Sequence, residues 1–382
     1  MRILLASQVN VAQRSGAAIH QAALAREMAR AGHDVRVLGR GRLDGLTPEP
    51  ILPVAPEGLS RFIRRIPEIP PGHVLESKLA LEVVREVQRF RPEVGYVRLS
   101  PSSSLVPAAF VATGTPYAVE LNGLILEHMR LAHRGSARIA VARASLAWVI
   151  EHAAAAVAPS EAIERHLADD LHAKRVVRIE NGADVGPSAT CARLEARARL
   201  GLPREGALIT MVGTLVPSLR LDLLFDALRA LSRDTTLVIV GDGAQRGRVD
   251  AEISRGARVI FLGARPHDEA ILAARAADVC VNPHDSDLSL KGLEYAAIGR
   301  RQVCFAVRGV ERIHDLYAEE SQAVWLVEAR NGAAFAAAIE AALAIERARG
   351  ELPDDEVARV RSEVAWSRTA ARVLAVLDEA RR

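Results

Sequence analysis

Lys291 and Glu294 stand one helical turn apart in the segment 278–299, DVCVNPHDSDLSLKGLEYAAIG, behind a loop of small residues that follows an apolar run. The chemistry this spacing permits is ligand binding. Free backbone N–H groups at a helix start hold an anion, and an acceptor-only carboxylate one turn further in takes hydrogen bonds from sugar hydroxyls. A nucleotide sugar presents both groups. Two rival constellations lie nearby. Asp285, Ser286 and Asp287 spell the D-x-D of a divalent-metal site on a diphosphate, or else aspartates that cap a helix. Gly241, Gly243 and Gly247 follow an apolar run, but their G-x-G-x-x-x-G spacing misses the dinucleotide fingerprint by one residue, so they predict a tight turn.

The elements that must position these groups follow from alternation. Short apolar or β-branched runs at 2–7, 34–39, 94–99, 117–121 and 155–160 are separated by helical patterns, such as the one near 17–31. After a polar stretch at 182–195 the rhythm restarts at 207–213, 236–243, 258–263, 278–283, 302–307 and 323–328. Continuous apolar strands between helices predict parallel sheets covered on both faces. The expected fold is α/β, with two Rossmann-like doubly wound domains at 1–185 and 196–355 facing each other across a cleft, and a helix at 356–382 that returns towards the first. The Lys291–Glu294 helix then starts at the C-terminal end of a strand, where open α/β sheets bind ligands.

With 382 residues, 49% of them hydrophobic, the chain can fill two cores. A formal net charge of +3 does not indicate a nucleic-acid partner. Cys191, Cys280 and Cys304 are widely spaced, which suggests neither disulfides nor zinc. Without a signal-like or membrane-spanning run, a cytoplasmic protein is expected. The Pro- and Arg-rich stretch 47–73 is too irregular for a regular element. Its Arg61, Arg64 and Arg65, with Phe62 and Ile63, suit an anionic acceptor, a peripheral membrane contact or a solvated connection.

In sequence the chain resembles the retaining glycosyltransferases of family four, which have the two-Rossmann, B-type glycosyltransferase fold. Lys291, Glu294, Tyr295, Ala297, Gly299 and Val303 follow that family's K-x-x-E-Y-x-A-x-G-x-P-V-V pattern. Residues 15–35 resemble its first glycine loop and helix, 177–185 its inter-domain turn, and 365–377 its closing helix.

The resemblance implies a metal-independent hexosyltransferase. It would move a hexose-like sugar from a nucleoside diphosphate, the co-substrate, to the hydroxyl of a small-molecule, lipid or glycan acceptor, with no cofactor. Glu294 would hold the ribose, Lys291 the phosphates, and the loop Ser286, Asp287, Leu288, Ser289 and Leu290 the diphosphate and sugar. Ser15 and Gly16 would form the phosphate or acceptor loop of the first domain. Glu120 and Asn122 would line the region of the reactive carbon, with His128 close to acceptor or sugar. The family's arginine and lysine after the first strand of the second domain fall on Thr214, beside Gly213, and on Leu219. Arg220 is the candidate replacement. The missing cations leave room for a catalytically weak or inactive nucleotide-sugar-binding protein. An epimerase or phosphorylase on the same fold is the rival within enzymes.

Overall fold

The structure is a computed structural model that describes residues 1–10, 16–40, 71–100, 104–131, 134–183, 185–285, 290–307 and 309–382. It divides into two compact units, Met1–Asn181 with Trp366–Arg382, and Gly182–Ala365.

The first unit carries strands β1 (Arg2–Asn10), β2 (Asp34–Arg40), β3 (Val94–Arg98), β4 (Tyr117–Glu120), β5 (Ala155–Ala158) and β6 (Val176–Arg178). They form one parallel sheet in the order β2-β1-β3-β4-β5-β6. In β1, Leu4 and Ala6 enter one core cluster while Ile3 and Leu5 enter the other. Side chains of a strand alternate between faces, so an uninterrupted apolar run means that both faces are covered. Helix α1 (Gly16–Arg30) covers one face with Leu24, Ala25 and Met28. Helices α2 (Pro71–Phe90) and α3 (Leu105–Ala112) cover the other with Leu79, Val83, Val106 and Phe110.

In the second unit β7 (Ala207–Val212), β8 (Thr235–Val240), β9 (Val259–Gly263), β10 (Val279–Asn282), β11 (Arg301–Phe305) and β12 (Val324–Val327) form a second parallel sheet, ordered β12-β11-β10-β7-β8-β9. The same alternation holds. Leu208 and Val212 of β7 join one core cluster and Ile209 and Met211 the other. Helix α4 (Leu221–Ala230) follows β7, and α5 (Leu290–Ala297) follows β10. Each sheet has one point where chain order reverses, between β1 and β3 in the first and between β7 and β10 in the second. The strand ends at such a point leave a crevice for a ligand.

Four expectations change. A sixth strand, β6, overlaps the start of the segment resembling an inter-domain turn. Gly182–Val185 and the polar stretch after it belong to the second unit, where Ala183, Val185, Ala189 and Cys191 are buried. The C-terminal segment 356–382 is two helices. Helix α6 (Asp354–Glu363) packs Val357 and Val360 into the second unit's core, and α7 (Trp366–Ala380) packs Ala370, Val373 and Leu377 into the first unit's core. The break follows from Ala183, which pairs as an isolated bridge with Ala365 and donates its N–H to Val364 O at 2.7 Å. Finally, Pro71 opens a helix, at a position where its missing N–H costs nothing. The preceding residues, Arg61 to Arg65 among them, lie outside the described residues. No helix among the described residues is long and apolar enough to cross a membrane, and the three cysteines are free and buried.

The glycines of VGDG interlock two loops. Gly241 has φ +142°, and a Cβ there would lie 1.8 Å from Gly213 O; at Gly243, with φ +155°, it would lie 2.8 Å from Leu215 O. Only a bare backbone lets the loop after β8 press against the loop after β7. Gly241→Ala is therefore expected to cost roughly 3 kcal/mol or more through strain and steric overlap. Chemical denaturation measures this, and an unchanged midpoint would contradict the interlock.

Candidate functional site

In the second unit the site is built from three loops and one helix at the C-terminal ends of β7, β8 and β10. Gly213 N donates to Val240 O at 2.9 Å, and Leu215 N donates to Asp242 O at 3.0 Å. The buried Gln245 side chain donates to Leu219 O at 2.7 Å and to Val216 O, which fixes the loop 214–220 from behind. On the other side Arg220 N donates to Pro283 O at 2.9 Å and Asp285 N to Ser218 O at 2.8 Å. Leu219 and His284 form an antiparallel bridge. The loop after β7 is thus held between the loops after β8 and β10.

Helix α5 is tied to the same place. The hydroxyl of the buried Tyr295 accepts from Val212 N at 2.8 Å. Gly292 has no room for a Cβ, which would lie 2.2 Å from Ile313 Cδ1. Glu294 is only 4% exposed, and its Oε2 takes the Lys291 ammonium at 2.5 Å. The two residues with different expected partners are paired with each other.

Arg220 is also occupied. Its Nε and Nη2 hold the carboxylate of Asp222 at 3.0 and 2.8 Å, and its Nη1 reaches Asp285 Oδ2 at 3.3 Å. The other oxygen of Asp285 accepts from Arg330 Nε at 2.9 Å. Leu219, at the family's lysine position, is a core residue at 3% exposure, and Thr214 is exposed. Ser286, Asp287, Leu288 and Ser289 lie outside the described residues, as does the side chain of Leu290. Asp285, the first carboxylate of the D-x-D, faces two guanidinium groups, and no cluster of metal ligands occurs among the described residues.

The first unit holds a different polar group at the C-terminal end of its sheet. Glu120, at the end of β4, is 3% exposed and surrounded by donors. Its carboxylate meets His20 Nε2 at 3.0 and 3.1 Å, Tyr96 Oη at 2.9 Å, Asn122 Nδ2 at 2.5 Å and Arg98 Nη1 at 3.7 Å. Burial alone would raise its pKa. The His20 charge and hydrogen bond, the Arg98 charge and the Asn122 amide outweigh it, and the pKa falls to about 2. Such a carboxylate organises its neighbours; it has no free oxygen for nucleophilic attack. Next to it His20 packs edge-on to Trp366 with ring centroids 4.8 Å apart. Ser7, at the end of β1, bonds Gln21 of α1. Asn122 is half-buried and Gly16, the first residue of α1, is exposed. Ser15 and the side chain of His128 lie outside the described residues.

His20, Tyr96 and Arg98 were not among the candidate residues of the sequence. They lie 100, 24 and 22 positions from Glu120 in the chain. The one available signal was polar residues in or beside apolar strands, Tyr96 and Arg98 in VGYVRL. Arg330 and Gln245 were missed for the same reason.

These two α/β units, each with polar side chains at the reversal point of its sheet, define a protein of two Rossmann-like domains. The chain belongs to the family-four glycosyltransferases: the model of glycosyltransferase family 4 matches residues 14–186, and that of glycosyl transferases group 1 matches residues 206–344. Among curated relatives, the D-inositol 3-phosphate glycosyltransferase of Geodermatophilus obscurus is 30% identical over 234 residues, 56% of this chain and 50% of the relative. The chain thus matches about half the length of such relatives. Two solved structures share the fold. Sucrose-phosphate synthase from Thermosynechococcus elongatus has a TM-score of 0.77 at 19% identity, over 99% of this chain and 98% of that one. HepE of Anabaena in complex with UDP-glucose has a TM-score of 0.72 at 18% identity, over 99% and 100%.

The depressed Glu120 pKa makes a stability prediction. A carboxylate ionised more easily in the folded state stabilises above its unfolded value and loses that contribution as pH falls through its folded value. From an ordinary 4.5 to about 2, the contribution is on the order of 3 kcal/mol. Glu120→Gln should show that deficit at neutral pH, narrowing below about pH 4.5 and closing near pH 2. Urea titrations across pH measure it; a deficit that does not vary with pH would show that Glu120 is not ionised by its partners.

Proposed function

We propose that the protein is a retaining, metal-independent glycosyltransferase that moves a hexose-like sugar from a nucleoside diphosphate sugar to an acceptor hydroxyl. The observation that carries this reading is Glu294, a buried carboxylate on α5 beside the β7/β10 reversal point, whose one charged partner among the described residues, Lys291, sits on the same turn. A ribose offers two hydroxyl donors to a carboxylate that has one oxygen engaged, and the released ammonium is then placed for phosphate. The shared fold with a UDP-glucose complex and the family membership support the same donor class.

In the first unit, Asn122 and Arg98 are the half-buried members of the Glu120 group. Glu120 fixes the Asn122 amide and the His20 ring, and such preorganised dipoles suit a site where charge develops in the transition state. Departure of the diphosphate calls for cations, and Lys291 and Arg220 are the candidates. The acceptor is a small molecule, lipid or glycan hydroxyl. The reading as a nucleotide-sugar-binding protein with little turnover is favoured by one observation: Arg220 is neutralised by Asp222 and Asp285, while Thr214 and Leu219 supply no charge.

Calorimetry with nucleoside diphosphates tests the site. Glu294→Ala should weaken binding by about tenfold or more, the loss of hydrogen bonds to a buried charge. Unchanged affinity would remove Glu294 from the site. Incubation with nucleotide sugars and candidate acceptors should give a glycoside with the donor's anomeric configuration. Inverted product would refute retention, and free or epimerised sugar alone would refute transfer.

A further inference from the structure

The arginine that stands in for the missing phosphate cations is held by an internal anion. Asp285 links two guanidinium groups of unequal mobility. Arg330 is locked: it donates to Ala306 O at 2.7 Å, Val327 O at 2.9 Å and Glu328 O at 3.0 Å, and lies 4.7 Å above the Phe305 ring. Arg220 is aimed by Asp222, which lies in the first turn of α4, where a negative charge is favoured. Between these fixed groups, the Asp285–Arg220 link is the weakest, a single 3.3 Å contact made by a residue on a loop. Arg220, Arg330, Asp222 and Asp285 together carry no net charge, so this cluster by itself offers a diphosphate no excess of cation.

We propose that Asp285 competes with the donor's diphosphate for Arg220. It keeps the guanidinium paired in the empty site, gives it up when phosphate binds, and remains tethered to Arg330. Asp285 thereby sets donor affinity. The inference rests on the donor reading above, and it commits to a gain of affinity on removing a charge that the D-x-D comparison would count as part of the binding machinery. If Asp285 instead ligated a metal on the diphosphate, its removal would weaken binding.

The experiment is calorimetry on the full chain with uridine, guanosine and adenosine diphosphates, comparing wild type, Asp285→Asn, Arg220→Gln and the double variant. Asparagine keeps an acceptor for Arg330 Nε, and Asp285→Ser serves if Asp285→Asn does not fold. Removing one partly exposed like charge should tighten binding by about fivefold. In the Arg220→Gln background the gain should disappear, the signature of coupling through that residue. Unchanged or weaker binding by Asp285→Asn, or a gain that persists without Arg220, overturns the proposal and leaves the donor reading intact. Absence of binding in every variant overturns the donor reading and the proposal with it.

Discussion

The hydrogen bond from Val212 N to the Tyr295 hydroxyl joins the end of a central strand to the helix that carries Glu294. A buried backbone N–H must find a partner, and here the partner belongs to helix α5. The position of Glu294 is therefore coupled to the sheet. Gly292 lets α5 pack closely against Ile313, and Gln245 fixes the adjoining loop by its carbonyls. The Glu294 site depends on this rigid frame, because binding energy is used well only when the groups that bind are already in place.

Charge is handled in three ways at the two sheet ends. Glu120 is buried and saturated with donors, which holds it ionised and makes it a fixture around which His20, Tyr96 and Asn122 are oriented. Glu294 is buried, and among the described residues its one charged partner is Lys291. Asp285, at 35% side-chain exposure, is shared between one rigid and one looser arginine. The three carboxylates thus run from fully saturated to shared between partners.

Much of the architecture was legible in the sequence because parallel strands buried on both faces leave uninterrupted apolar runs, as in ALITMVG and TLVIVG. Glu294 and Lys291 were legible because their spacing is local. The split of 356–382 was not, since both helices are amphipathic and only the pairing of Ala183 with Ala365 shows where one core ends. The meaning of Gly241 and Gly243 was half legible. Their tight backbone was evident, but its purpose, contact with a loop almost thirty residues earlier, is a tertiary fact. His20, Arg98 and Arg330 stayed hidden for the same reason: each acquires a role only through partners far away in the chain. Arg220 was legible as a cation near the right place, whereas its two carboxylate partners were not.

The central claim is that the nucleotide of the donor seats at the β7/β10 end of the second sheet. Hydrogen–deuterium exchange of the full chain with and without a saturating nucleoside diphosphate tests it most directly. The account predicts slowed exchange concentrated in residues 213–220 and 290–298, the loop and helix that frame Glu294. Protection confined to other segments, with these amides unchanged under saturation, would contradict it.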